Sequence, residues 1–210
     1  MSYSMTYDSL LVDVRRYLER GFTPESDAIV YEQLPRLVTL AERRIARELK
    51  IEGFIRPVQT PLQPGVAVYP KPDRWRDTVS MSADNVPLLA RSYEYIRNFW
   101  PDEAATGTPK YYADYDYQHW ILAPTPAAAQ NLEVLIYQQP QLLGDDCQVN
   151  WSTEYAPDLL LYATLLEATP FLKKDERIGT WQAMYDRAAQ AISGEDLKRI
   201  MDRTAQRSEA

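Results

Sequence analysis

The chain has 210 residues, of which 45% are hydrophobic and 25% are charged, so it can form one large domain or two small ones with a buried core. Its formal net charge of −7 excludes the basic surface of a protein that reads DNA in its grooves, although a negative wall suits a conduit that DNA passes without sticking. No apolar run approaches the roughly 18–20 residues of a membrane span, and the N-terminus lacks the pattern of a signal peptide.

Residues 1–53 carry two amphipathic helical patterns. The apolar stripe of the first helix consists of Leu10, Leu11, Val14 and Leu18. The stripe of the second helix consists of Val30, Leu34, Leu37, Ala41, Ile45 and Leu49. The pair Thr23–Pro24 is a helix-start signal, and Pro35 lies within the second pattern. We therefore expect the second helix to begin near Pro24 and to kink or restart at Pro35.

On the outer face of the second helix, Arg43 and Arg47 form a small basic strip, one helical turn apart. A solvated helix face is the ordinary interpretation of such charges. The alternative is a contact with an acidic surface on a neighbouring subunit, and both interpretations stay open.

Residues 54–149 contain eleven of the fifteen prolines, which is too many for long helices. The segments between them, IRPVQT, VAVYP, DTVSM, KYYADY, HWILA and NLEVLIYQQ, are typical of short strands. In the last segment Leu132, Val134 and Ile136 alternate with side chains that we expect to be half-exposed. This region is predicted to be a small antiparallel β sandwich or barrel with one short helix at Ser92–Trp100.

Residues 150–192 return to helical patterns, and Pro157 opens a segment that is apolar nearly all round and is expected at the centre of a bundle. Ser193-Gly-Glu-Asp is interpreted as a break with a capping residue, so that residues 193–210 form a separate helical tail. The apolar side of this tail consists of Leu197, Ile200 and Met201. So narrow a stripe is expected to order only on a partner.

The predicted fold class is therefore α+β: a helical bundle formed by the N- and C-terminal helices, with the small antiparallel β structure inserted between them. The predicted boundaries are residues 1–53 and 150–192 for the bundle, 54–149 for the β-rich insertion and 193–210 for the tail.

The segment YYADYDYQHW, residues 111–120, holds four tyrosines, a tryptophan and the only histidine. Tyr115, Tyr117 and His119 fall at alternate positions, which predicts a hairpin that turns near 114–117 and returns through Trp120. A catalytic His119 would need a partner base that the sequence does not supply, so we interpret it as structural. The tyrosines and Trp120 are interpreted as a contact surface, because such residues are enriched in interfaces.

Other chemistry has weak support in the sequence. The lone Cys147 excludes an intrachain disulfide. Asp145-Asp146 is a candidate metal pair but lacks the alternating spacing of a calcium loop. A carboxylate pair for glycoside hydrolysis could come from Glu42, Glu48, Glu154 and Glu167. No glycine-rich phosphate loop is present, and we predict no catalytic residue, metal or cofactor.

Four segments carry a resemblance to a known family through their order and spacing. They are LVTLAERRIARELKIEGF, GTPKYYA, WILAPTPAAAQNLEVLIYQQP and NWSTEYAPDLLLYATLLEATPFLKKDERIGTWQAMYDRA. Over residues 27–192 the chain resembles the head-to-tail adaptor, or connector, proteins of tailed bacteriophages, chiefly the short-tailed ones.

The resemblance implies a helical bundle with a β-rich insertion, and a ring of twelve copies between the portal and the tail or nozzle proteins of the virion. It implies that double-stranded DNA is held by this ring and passes through it without sequence recognition, during assembly and ejection. The protein would assemble in the host cytoplasm and reside at the head–tail junction, without a membrane. The segment that binds the portal in related adaptors corresponds here to Leu197, Arg199, Ile200, Met201 and Arg203.

Candidates for contacts with neighbouring subunits or tail proteins are Tyr115, Tyr117, His119, Trp120, Arg43 and Arg47. Two alternatives remain at this stage. One is a tail-tube or tail-completion subunit, which would not bind the portal. The other is a virion-associated peptidoglycan hydrolase that uses two glutamates.

Overall fold

A computed structural model describes residues 4–171 and 176–208, with side chains described as far as Asp196. The helices in this part of the chain are α1 (Tyr7–Leu18), α2 (Ala28–Glu48), α3 (Tyr93–Phe99), α4 (Trp151–Tyr155), α5 (Pro157–Glu167) and α6 (Ile178–Ser208). The strands are β1 (Ile55–Leu62), β2 (Val68–Pro70), β3 (Trp75–Ala83), β4 (Val86–Ala90), β5 (Thr106–Gly107), β6 (Tyr111–Asp114), β7 (His119–Ala123), β8 (Thr125–Pro126) and β9 (Gln130–Gln138). The predicted α+β class, with helical ends and an inserted sheet, is confirmed.

The chain divides into two compact units. A helical unit consists of Met1–Gly53 together with Pro140–Ala210, and a sheet unit spans Phe54–Gln139. The sheet unit has its own hydrophobic core cluster, and the helices of the helical unit bury their apolar faces.

The helical unit is built around α5, which is apolar on nearly every side, as the sequence predicts. Its buried residues are Leu159, Leu160, Leu161, Ala163, Thr164, Leu165 and Leu166. Helices α1, α2, α4 and α6 all pack against α5. The longer helices α1 and α2 each bury an apolar stripe. A helix without a polar face has to be covered in this way, since exposing it would leave its leucines in water.

The start of α2 differs from the prediction. The helix begins at Ala28, where the carboxylate of Asp27 accepts the Val30 N–H at 3.3 Å, and Thr23–Ser26 forms a separate hydrogen-bonded turn. The helix then continues through Pro35 without a restart. Proline removes one N–H bond there, and the loss is tolerated because the buried stripe on both sides of Pro35 holds the helix against α5.

The predicted break at Ser193–Asp196 is wrong, because these residues lie within α6. A glycine inside a helix costs only about 1 kcal/mol relative to alanine, which is too little to end it. The Asp196 carboxylate, instead of capping a new helix, accepts the Glu52 backbone N–H at 2.9 Å. The described buried residues of α6 are Trp181, Tyr185 and Ala188, and Asp196 extends the contacts of this helix within the helical unit.

The sheet unit contains a curled seven-stranded sheet in the order β1-β9-β3-β4-β6-β7-β2. Every one of these strands contributes to one core cluster: Leu62, Tyr69, Met81, Ala83, Leu88, Tyr112, Trp120, Leu122, Leu132, Val134 and Ile136. The predicted alternation along β9 is confirmed, with Leu132, Val134 and Ile136 buried between half-buried neighbours.

The sheet is mixed, which corrects the expectation of a wholly antiparallel one. Strands β4 and β6 pair in parallel, with Leu89 opposite Tyr111, and the small sheet of β5 and β8 is also parallel. The reason is the connection: α3 lies between β4 and β6, and a crossover of this kind returns the chain in the same direction. The short helix itself is confirmed, with Ser92 as its N-cap.

The two end strands of the seven-stranded sheet are unusual in their residues. Strand β1 contains Pro57 and Pro61, and strand β2 is three residues long and ends in Pro70. Proline is accommodated in a sheet where its missing N–H would point away from the paired neighbour, so these positions fit an end strand.

Candidate interaction surfaces

The aromatic segment forms the predicted hairpin. Strands β6 and β7 pair antiparallel, with Asp114 opposite Trp120, and the chain turns between them. The Tyr115 N–H closes this turn by donating to the His119 carbonyl oxygen at 3.0 Å. Strand β2 extends the hairpin on its other side, with Tyr69 opposite Trp120.

His119 is held by a residue of its own turn. Its Nδ1 lies 2.9 Å from Asp116 Oδ2 and 3.0 Å from Asp116 Oδ1, and the Gln118 N–H donates to Oδ1 at 2.6 Å. The hydrogen bond from His119 is the main cause that lowers the pKa of the exposed Asp116 carboxyl. His119 and Asp116 therefore form an exposed hydrogen-bonded pair within a tight turn, which we call the clamp.

Replacing His119 with glutamine is expected to lower the free energy of unfolding of the sheet unit by about 1 kcal/mol or less, because the clamp joins two partly exposed side chains. Chemical denaturation of the two proteins measures this difference. The same variant should assemble normally. A phage that lost infectivity while this variant folded and assembled as before would contradict the structural interpretation.

Trp120 does not lie on the contact surface, which corrects its assignment from the sequence. Its side chain is 2% exposed within the sheet core, and Nε1 donates to Thr78 Oγ1 at 3.0 Å. The same Thr78 oxygen accepts a hydrogen bond from Trp75 Nε1 at 3.1 Å. A signal for this was present in the sequence: Trp120 is out of phase with Tyr117 and His119, so it points to the opposite face of the strand.

Tyr115 and Tyr117 are the exposed members of the hairpin, and the Tyr117 side chain is 72% exposed. Each ring packs edge-on against another aromatic ring, Tyr115 against Tyr93 at 5.6 Å and Tyr117 against Trp75 at 6.0 Å between centroids. A depression of about 360 Å³ lies beside Tyr117. Its lining residues are Pro70, Lys71, Pro72, Asp73, Arg74, Trp75, Tyr117, Gln118 and His119.

Lys71 at this depression is a buried cation that stiffens the hairpin. Its side chain is 2% exposed, and Nζ lies 2.6 Å from Asp114 Oδ1 and 3.7 Å from the centre of the Trp75 ring. Nζ also donates to the Asp116 carbonyl oxygen at 3.0 Å. The ammonium group is therefore satisfied by an acid, a carbonyl and an aromatic face, and it contributes to packing of the turn.

A second aromatic surface, which the sequence analysis missed, lies beside α3; we refer to it as the Arg91 patch. It consists of Leu89, Arg91, Tyr95, Phe99, Trp100 and Tyr111. The rings are close to one another, with Tyr95 4.6 Å from Phe99 and Trp100 5.2 Å from Tyr111 between centroids. The guanidinium of Arg91 lies 5.6 Å from the ring centroids of both Tyr95 and Tyr111.

The remaining predicted contact residues belong to the helical unit. Arg43 and Arg47 are exposed on α2, as a strip available to solvent or to a neighbour. The predicted portal-binding residues are Leu197, Arg199, Ile200, Met201 and Arg203. They belong to α6, whose backbone is described to Ser208, but their side chains lie outside the described part of the structure.

Two of the four candidate glutamates, Glu48 and Glu167, are engaged in side-chain contacts within the helical unit. Arg44 pairs with Glu48 at 2.9 Å and with Glu167 at 3.1 Å. The Tyr185 hydroxyl donates to the Glu48 carboxylate. Burial is the larger cause that raises the pKa of Tyr185, and this hydrogen bond is the second. Glu154 is exposed on α4. These contacts tie α2 to α5 and α6.

Glu42, the fourth glutamate, is 6% exposed and anchors the loop that precedes α4. Its carboxylate accepts the Leu143 N–H at 3.1 Å and the Asn150 side-chain amide at 2.7 Å. Asn150 in turn caps α4 by accepting the Ser152 N–H at 3.0 Å. Burial raises the pKa of Glu42 to about 7, although the hydrogen bonds from Leu143 and Asn150 lower it.

Metal-ligand clusters and membrane-spanning helices are both absent from the described residues. In residues 4–171 and 176–196, whose side chains are described, no group of three or more His, Cys, Asp or Glu side chains is placed to hold a metal ion. Among the helices of that same part, none combines the length and the apolar character needed to cross a bilayer.

Of the predicted contact residues with described side chains, Tyr115, Tyr117, Arg43 and Arg47 are exposed and so open to other proteins, whereas Trp120 is buried. The SU10 adaptor protein family matches the chain over residues 5–208, so the chain belongs to this family. It is accordingly a phage head–tail adaptor, a structural protein of the virion at the head–tail junction. Comparison with curated proteins gives no significant match.

Proposed function

We propose that this adaptor forms a closed ring of twelve copies that docks on the portal and receives the tail or nozzle proteins. Double-stranded DNA is held by the ring after packaging and passes through its lumen on ejection. The family membership over residues 5–208 supports the position in the virion. The ring assembles in the host cytoplasm and then becomes part of the virion.

The feature that carries the docking proposal is the narrow apolar side of the last part of α6. The helix spans Ile178–Ser208, and after Asp196 its apolar side consists of Leu197, Ile200 and Met201. A helical segment with so narrow a stripe gains little stability on its own and is suited to order on a partner. The segment after Asp196 is therefore assigned to the portal, through Leu197, Arg199, Ile200, Met201 and Arg203.

Charge supports the conduit. The net charge of −7 disfavours adhesion of phosphate groups to the protein, so DNA can move along the lumen without being trapped. The exposed tyrosines Tyr115 and Tyr117 and the strip of Arg43 and Arg47 are assigned to contacts with neighbouring subunits or tail proteins, since tyrosine and arginine are enriched in interfaces.

Electron microscopy of the purified adaptor mixed with portal rings tests this function. The expected result is a twelve-fold ring of adaptors on one face of the portal. A tail-tube or tail-completion subunit would bind tail proteins and leave the portal bare, which would overturn the proposal. Clearing of peptidoglycan in a zymogram, lost on a glutamate-to-glutamine substitution, would favour the hydrolase instead.

Deleting residues 197–210 is expected to weaken portal binding at least tenfold, about 1.4 kcal/mol, while leaving the thermal unfolding of the protein unchanged. The cut after Asp196 keeps the bond between Asp196 and the Glu52 N–H, as well as the buried Trp181, Tyr185 and Ala188. Co-sedimentation with portal rings measures the binding.

A truncation of the last two residues serves as the matched control for this deletion and should bind the portal like the full chain. The assignment of α6 to the portal fails if the protein ending at Asp196 binds as tightly as the control.

A further inference from the structure

We infer that the Arg91 patch of one copy binds an acidic apolar segment of the neighbouring copy, namely residues 22–32, the turn before α2 with the start of α2, which we call the Phe22 segment. The inference rests on the proposed ring and names the two surfaces that join its subunits. The partner is therefore a second copy of this chain, and the contact is made by two different surfaces.

The Arg91 patch has the composition and exposure of an interface centre. Phe99 is 59% exposed and Leu89 is 53% exposed, and both lie next to the rings of Tyr95, Trp100 and Tyr111. Aromatic residues and arginine dominate the energetic centres of protein interfaces, whereas isolated surface leucines need no explanation. A cluster of this kind left in water therefore indicates a surface that another molecule covers.

The patch is rigid before binding, which favours a specific contact. Ile96 is buried against the outer face of the sheet, and the Ser92 side chain caps the first turn of α3 by accepting the Tyr95 N–H at 3.2 Å. Since Tyr95, Phe99 and Trp100 follow on this fixed helix and touch one another, little side-chain entropy remains to be lost on binding.

The charge at the centre of the patch is positive. The Arg91 guanidinium lies over the rings of Tyr95 and Tyr111, and Lys110, the residue before Tyr111, is also exposed. Acids stand farther along the chain: Glu94 keeps its negative charge, because hydrogen bonds from the backbone and from Ser92 lower its pKa, and Asp102 is exposed. The rings therefore present a cation, Arg91, to a partner.

The Phe22 segment has the complementary character. Ile29 is 68% exposed and Phe22 is 54% exposed, which places two large apolar side chains in water along a short stretch of chain. Glu25 and Glu32 are exposed in the same stretch, while the nearby Arg20 is neutralised by Asp27 at 2.8 Å. Apolar side chains flanked by acids match aromatic rings over which the Arg91 cation lies.

Charge also explains why these two surfaces would select each other. Copies that each carry a net charge of −7 repel over most orientations, so approach is favoured where one copy presents cations to acids on the other. Because the two surfaces differ, each copy can bind one neighbour through its patch and another through its segment. Repetition of such a contact closes a ring when the rotation per step allows it.

Two charge-reversal variants of the full chain test the contact. In Arg91→Glu the patch repels the acidic segment, and in Glu25→Lys with Glu32→Lys the segment repels the basic patch. Each variant alone is expected to lose self-association at least tenfold. In an equimolar mixture every contact of an alternating ring again joins opposite charges, so assembly should return. Light scattering, with and without portal rings, measures the mass of the assemblies.

Arg76→Glu, a reversal at an exposed arginine of β3 outside the patch, is the matched control and should assemble like the wild type. The inference is overturned if the single variants assemble normally, if the mixture fails to recover, or if the wild type stays monomeric with and without the portal. It is also overturned if the variants assemble normally and lose only tail-protein binding. Recovery in the mixture without portal binding would support this contact and refute the docking function, so the two failures are distinguishable.

Discussion

Replacing Trp120 with alanine should lower the free energy of unfolding of the sheet unit by about 3–5 kcal/mol. The indole is 2% exposed and lies in the cluster to which all seven strands contribute, so alanine leaves a cavity there. The Thr78 hydroxyl also loses one of the two indole N–H groups that it accepts. Chemical denaturation followed by circular dichroism measures the loss.

Tyr117→Ala is the matched control for Trp120→Ala, because both residues belong to the same hairpin and Tyr117 is 72% exposed. Its effect on the free energy of unfolding should be within about 1 kcal/mol, since it loses only one edge-on ring contact with Trp75. Equal losses in the two variants would contradict the inward orientation of Trp120.

Replacing Glu42 with alanine is the second change for which a large effect is expected, on the order of 3 kcal/mol of unfolding free energy. The substitution leaves the Leu143 N–H and the Asn150 amide without their buried acceptor, and it frees the loop that leads into α4. Glu42→Gln keeps the size and one acceptor oxygen, so its loss at pH 5 should be much smaller. Denaturation with urea compares the three proteins.

The same residue gives the protein a specific pH dependence. The pKa of Glu42 is about 7 in the folded chain against an ordinary value of 4.5, so folding takes up a proton between these values. The contribution of Glu42 to stability is therefore complete below pH 4.5 and is lost as the pH rises through 7. The full difference corresponds to roughly 3 kcal/mol.

The difference in unfolding free energy between the wild type and Glu42→Gln isolates this contribution, because the other carboxyl groups are common to both proteins. Between pH 4.5 and pH 8, the unfolding free energy of the wild type should fall by roughly 3 kcal/mol relative to that of Glu42→Gln. A difference that stays constant over this range would show that the buried carboxyl does not titrate there.

Local patterns in the sequence were sufficient for most of the fold. The all-apolar segment after Pro157 predicted the central α5, and alternation in Leu132–Ile136 predicted the two faces of β9. The hairpin of the aromatic segment followed from the same period of two. Each of these signals is contained within one element, so it depends on no distant contact.

The wrong predictions concern features of the fold that depend on contacts between residues far apart in the sequence. The parallel pairing of β4 and β6 depends on how α3 crosses the sheet, and α6 continues past Gly194 although that segment contains residues that often end helices. The buried role of Glu42 had a local signal, since it lies on the same side of α2 as Ala41 and Ile45. Its partner Leu143 is about a hundred residues away and could not be predicted.

The candidate site illustrates the same limit. Tyr115 and Tyr117 were found because they crowd one short segment, whereas the Arg91 patch draws its residues from β4, α3 and β6 and from the coil beside them. No single window of the sequence contains it. What the sequence supplied was an excess of aromatic residues, and only the crossover places them on one surface.

The prolines of the two end strands have a consequence for the proposed assembly of many copies into one ring. Cross-β polymerisation starts when an open strand offers its N–H groups as a template to another chain. Pro57 and Pro61, four residues apart in β1, each lack an N–H group, and β2 is too short to offer many. In the proposed ring, copies are thereby left to bind each other through side chains, as the contact between the Arg91 patch and the Phe22 segment requires.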